Sequence, residues 1–217
     1  LKDFNKAIYF LNKAFPLFDK NLLRKAQLAN NLGNAYSRLN QETKALLYYK
    51  IALETRKHIQ NITNNELGEI HTNISSSYLK LYELEKASFH FEQAKIYYLS
   101  NNPVNQLALS NIEEIIGQYH LLRFDIESAI KSYEQSQFLH DSILNTPSIE
   151  SGNRYLTLAN LYMQPPFRDT LKGLFYLKKV NKVESELLKL EALILSTSIL
   201  INNKKYSEAK ISIKEIL

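Results

Sequence analysis

An all-α solenoid of stacked helix pairs is the fold this sequence predicts, and three observations predict it. Residues of like size recur at intervals of 42: Ala45, Ala87 and Ala129; Tyr49, Phe91 and Tyr133; Ala52, Ala94 and Ser136; Leu32, Ile74, Ile116 and Leu158; Tyr36, Tyr78, His120 and Tyr162. Inside each unit these residues stand three, four or seven apart, which puts them on one face of a helix. Four of the five glycines also keep register at twice the period, Gly33 with Gly117 and Gly68 with Gly152, each pair 84 apart.

Taken in order, the columns divide residues 1–217 into one repeat domain. Residues 1–20 read as the second helix of a partial unit through Ala7, Leu11 and Ala14, each 38 before its counterpart. Three full units follow at 21–62, 63–104 and 105–146, then a fourth at 147–183 and a partial fifth at 184–217. Unit four keeps Leu158, Ala159 and Tyr162, but the stretch to Gly173, its candidate for the alanine column, is longer by two residues that fit Pro165-Pro166, a pair unable to continue a helix. That insertion is expected to break the regular stacking. Unit five retains Leu200 in the tyrosine column and Ala209, Ile213 and Ile216 in its second helix.

An alanine or glycine lets a neighbouring helix approach closely, and the aromatic four residues on fills the space beside it. One unit cannot bury its apolar face alone, so stacking supplies the core. The chain begins at Leu1 without methionine or a targeting segment, and Ile211 to Leu217 still read as helix, so the reading is a piece of a longer protein. Ile211, Ile213 and Ile216 would then have no helix to cover them, and self-association as a homodimer through this C-terminal end is expected.

Composition excludes several classes of function. With no cysteine, disulfide scaffolds, thiol catalysis and cysteine-ligated zinc are out, and five glycines leave little room for loops that cradle phosphates. The net charge of +5 is distributed as +5 over residues 1–100, −4 over 101–164 and +4 over 165–217. An acidic centre between two modestly basic ends is not the continuous basic stripe that nucleic acid requires. The longest apolar stretch, Ala192 to Ile201, is interrupted by serines and a threonine, so no membrane span is expected. Lack of cysteine suits either side of a membrane, with the cytoplasm favoured over the periplasm.

The run Leu32-Gly33-x-x-Tyr36 with Ala45-x-x-x-Tyr49-x-x-Ala52 resembles the tetratricopeptide repeat (TPR), a helix-turn-helix unit usually of about 34 residues. Ile74-Ser75-x-x-Tyr78 with Ala87, Phe91 and Ala94, and Ile116-Gly117-x-x-His120 with Ala129, Tyr133 and Ser136, follow the same pattern. The longer period implies about one extra turn per helix. The resemblance implies a right-handed α-α superhelix whose inner face is made by the first helix of each pair.

No residue constellation points to catalysis, a cofactor or a metal. Histidines 58, 71, 90, 120 and 140 form no H-x-H or H-E-x-x-H pair, and His120 occupies the tyrosine column, where it reads as a packed core residue. Glu113-Glu114 and Glu184/Glu186 lie on predicted helices, where neighbours diverge instead of converging on one cleft. They read as solvated faces. The fourteen tyrosines read as core, since several fill repeat columns.

Binding is the function the resemblance implies. The positions that line the inner groove in that family select 30 residues here, and eight are asparagine: Asn30, Asn31, Asn34, Asn73, Asn111, Asn153, Asn160 and Asn202. Asparagine costs about 0.5 kcal/mol relative to alanine inside a helix, so something else should favour it. Its carboxamide offers a donor and an acceptor, which suits the backbone of an extended peptide. Gln27, Thr72, Ser76, Glu114 and Gln118 would add polar contacts, and Leu121, Leu156 and Met163 apolar subsites. The first-helix positions whose lysines and arginines hold a peptide's terminal carboxylate in such repeats carry no basic residue here. The expected partner is therefore a protein or peptide other than a chaperone tail.

Asn31 to Tyr36 and Lys44 to Tyr49 look like runs in the repeat regions of bacterial signalling proteins and transcriptional regulators. A sensory or scaffolding role inside such a regulator is the leading expectation. The alternatives are a structural self-association module and a regulatory domain that inhibits a phosphorelay partner.

Overall fold

The structure is a computed structural model that describes residues 3–60, 62–144, 146–202, 204, 205, 207 and 208. Its secondary structure is helical, with no strand among the described residues. The chain forms two compact units, Leu1–Asp125 and Ile126–Leu217. Their boundary falls inside the third sequence unit, 105–146, which the one-domain reading treats as undivided.

The first compact unit contains α1 (Phe4–Ala14), a 3-10 turn (Phe15–Phe18), α2 (Leu22–Arg38), α3 (Glu42–Lys57), α4 (Asn64–Lys80), α5 (Leu84–Leu99) and α6 (Gln106–Leu122). Side chains fix where the first helix of each pair begins. Asn21 caps α2, Thr63 caps α4 in a reciprocal box with Glu66, and Asn105 caps α6, each accepting a backbone N–H that the helix leaves unpaired. Helices α2 and α3 pack as a pair, as do α4 and α5, and α3 packs on α4 and α5 on α6. Ala45, Ala52, Ala87 and Ala94 are all fully buried, and Tyr49, Tyr78, Phe91 and Tyr98 lie buried among them.

The turns after α2, α4 and α6 each use a left-handed residue, Asn40, Tyr82 and Phe124. Asparagine tolerates that conformation, whereas the two aromatic residues are in the region where a Cβ costs roughly 1–2 kcal/mol.

The second compact unit contains α7 (Ile126–Asp141), α8 (Ile149–Met163), α9 (Thr170–Val180) and α10 (Glu186–Asn202). Its core is built from Tyr155, Leu156 and Ala159 of α8, Leu177 and Val180 of α9, and Leu188, Ala192 and Ile199 of α10, with Val183 in the connection. Gly152 lies where a Cβ would come within 2.6 Å of Leu188, so the glycine admits α10 against α8. Helix α8 stops at Met163, just ahead of Pro165-Pro166. Ala209, Ile211, Ile213 and Ile216, and with them the C-terminal self-association surface, lie outside the described residues.

Candidate functional site

Two polar stripes face each other inside the first compact unit. On α2 the residues Gln27, Asn30, Asn31, Asn34, Ser37 and Arg38 recur at the three-and-four spacing that keeps side chains on one helical face, and Glu69, Asn73, Ser76 and Lys80 do the same on α4. Two cavities lie between them. The first, about 340 Å³, is lined by Gln27, Asn30 and Asn31 of α2, Arg56 of α3, and Glu66, Glu69 and Ile70 of α4. The second, about 490 Å³, is lined by Asn34, Ser37 and Arg38 of α2, Tyr49 of α3, and Asn73, Ser76 and Lys80 of α4.

Asn30 stands between the two cavities. Its Nδ2 donates to Glu69 Oε1 at 3.0 Å, and its Oδ1 accepts from Asn73 Nδ2 at 3.1 Å. Asn34 is fixed from the other side, because the Tyr49 hydroxyl donates to its Oδ1 at 2.8 Å. Tyr49 reaches that position because residue 33 is glycine: a Cβ there would lie 2.4 Å from the tyrosine ring. The two amides are thus each half used. Asn34 keeps its Nδ2 donor and Asn73 its Oδ1 acceptor, both without a partner among the described residues and both at the second cavity.

Ion pairs flank each cavity. Arg56 is buried and pairs with Glu66. Burial alone would raise the Glu66 carboxyl, but hydrogen bonds from Thr63 and the charge of Arg56 outweigh it and hold the group below its usual range. At the second cavity Lys80 Nζ lies 2.8 Å from Glu42 Oε1 and donates to Ser37 Oγ at 2.9 Å. Burial, with the Glu42 carboxylate behind it, pushes the Tyr49 phenol up, so it stays a protonated donor to Asn34.

No sequence family and no curated protein matches the chain. Solved structures do. The crystal structure of BtubC (BKLC) from P. vanneervenii superposes with a TM-score of 0.79 over 100% of this chain and 90% of that one, at 14% identity. A tetratricopeptide repeat protein from Parabacteroides merdae ATCC 43184 aligns with a TM-score of 0.47 over 99% of this chain and 86% of that one, at 19% identity. At such identities the likeness to BtubC shows the fold alone.

Within this helix-pair fold the remaining expected site residues are placed elsewhere. Thr72 turns inward: its hydroxyl donates to Gly68 O at 2.8 Å and lies 3.1 Å from the Tyr98 hydroxyl, whose pKa burial pushes up to about 12. Asn111 and Gln118 are exposed on α6 and Glu114 is half-buried there; none lines either cavity. Asn153 and Asn160 are exposed on α8, in the second compact unit.

Three expectations are corrected. Leu156 is core, and Met163 packs half-buried against the same cluster, so neither is an apolar subsite. Glu113 is not a solvated carboxylate: it is 8% exposed and pairs with Lys95 Nζ at 2.7 Å.

Sequence reasoning passed over Arg38 and Lys80. They stand 42 residues apart, a basic pair in one repeat column, and that column was the signal available to find them. It also missed His71 and His90, whose Nδ1 atoms meet at 3.0 Å. Their separation of 19 residues matches no ligand motif.

Proposed function

We propose that the chain is a peptide-binding helical-repeat module of the TPR type, serving as the sensory or scaffolding region of a larger regulator. The observation that carries the binding reading is the complementary pair at the second cavity, Asn34 Nδ2 as a donor and Asn73 Oδ1 as an acceptor, both unused among the described residues. One peptide group needs one of each: its carbonyl accepts from Asn34 and its N–H donates to Asn73. Such recognition holds a backbone without reading its side chains, and Tyr49 and Asn30 keep both amides oriented before a ligand arrives. The starts of α2, α4 and α6, at Leu22, Asn64 and Gln106, support a long-period repeat. The regulator role is supported by the Asn31–Tyr36 and Lys44–Tyr49 runs.

The test is selection of decapeptides from a random display library on the whole chain, with affinities of the recovered peptides measured by calorimetry. Each hydrogen bond has a net value of about 0.5–1.5 kcal/mol, so Asn34→Ala and Asn73→Ala should each weaken binding several-fold; each variant also loses one internal hydrogen bond, to Tyr49 or to Asn30, and should melt a few degrees lower while remaining fully helical. Wild-type affinity in the double variant overturns the site.

A further inference from the structure

The second cavity is unequal in its chemistry. Its open donors are the Asn34 amide, the Ser76 hydroxyl and the Arg38 guanidinium, and Arg38 makes no hydrogen bond or ion pair with any described residue. Lys80 adds a second cation, anchored on Glu42. That carboxylate is 6% exposed, does not line the cavity and is paired with the lysine it holds. Glu69, the next carboxylate along α4, lines the first cavity and is engaged by Asn30. On the acceptor side the cavity presents Asn73 Oδ1, which the peptide backbone would use.

We infer that the second cavity takes an anionic side chain of the bound peptide, a carboxylate or a phosphomonoester, against Arg38, with Lys80 and Ser76 completing the donor set. This rests on the peptide-binding reading and narrows the partner to an acidic or phosphorylated segment. The backbone group on Asn34 and Asn73 places the adjoining side chain in reach of the ends of α2 and α4, where Arg38 and Lys80 stand in one repeat column. A guanidinium offers a planar pair of N–H donors that matches either oxyanion, and it pairs most strongly where it has no competing partner. Arg38 is in that condition; Lys80 serves as a supporting charge.

The experiment uses the whole chain and four fluorescent pools of alanine-, serine- and threonine-based decapeptides, with glutamate, phosphoserine, glutamine or lysine at a central position. Anisotropy titrations should show the glutamate or the phosphoserine pool binding at least fivefold more tightly than the glutamine and lysine pools, with the preference shrinking as salt is raised. A preference for glutamate identifies a carboxylate partner, and one for phosphoserine identifies a phosphate. Arg38→Gln should abolish the preference while leaving the melting temperature unchanged, whereas Asn34→Ala should weaken all four pools and keep the preference. Equal binding of all four pools overturns the anionic subsite and leaves the peptide reading standing. Failure of every pool to bind overturns both.

Discussion

His71 and His90 meet with their Nδ1 atoms 3.0 Å apart, a contact that needs one ring to donate and the other to accept. Two imidazolium rings cannot make it. Burial holds both rings down to about 4, with Lys57 adding to the effect at His71, and with His71 and Lys50 adding to it at His90. Tyr97 packs against His71 and Tyr78 stacks on His90 from the same two helices. The unfolded chain, with an ordinary histidine pKa near 6.5, therefore binds more protons than the folded one between pH 6.5 and about 4. Stability should be unaffected by this pair above pH 6.5 and should fall as pH drops toward 4. Thermal melts across that range should show the midpoint declining, by about 2–4 °C for each kcal/mol lost. His90→Gln should make the decline shallower, and an unchanged slope in that variant would assign the acid sensitivity to other groups.

At the scale of the helix pair, Gly33 links packing to the site. A Cβ at this position would meet three carbons of the Tyr49 ring at 2.4 to 3.0 Å, and Tyr49 is 2% exposed with its hydroxyl held by Asn34. Gly33→Ala gains about 1 kcal/mol of helix propensity but should lose about 1–3 kcal/mol to overpacking. The expected result is a net loss of about 1 kcal/mol, seen as a lower urea midpoint at unchanged slope. Adding Tyr49→Leu should recover part of it, because the obstructing ring is gone. Peptide affinity should fall in Gly33→Ala and stay low in the double variant, since both lack the tyrosine hydroxyl at its place beside Asn34.

At the scale of the molecule, both cavities and every side chain that orients them belong to the first compact unit, Leu1–Asp125. A fragment of residues 1–125 should fold to a helical protein with a cooperative melt and bind the selected peptides with the affinity of the whole chain. Circular dichroism and the same anisotropy titration check this. A tenfold weaker fragment would show that residues after 125 contribute to the ligand.

The sequence by itself determined the helices and their small-residue contacts. Alanine columns at 45, 52, 87 and 94 and glycine at 33 were legible because helical periodicity is local: a residue's face follows from its spacing to neighbours a few positions away. The asparagine stripe on α2 and α4 was legible for the same reason. Which asparagines have a free atom was not. Asn30 joins Asn73 across 43 residues, Lys80 joins Glu42 across 38, and His71 joins His90 across 19. These pairings arise only when one helix packs on another, because hydrogen bonds act over about 3 Å and the sequence does not set interhelical distance to that tolerance. The tertiary structure therefore decided which amides are used up, which keep an atom unused, and that an arginine with no partner among the described residues stands beside them.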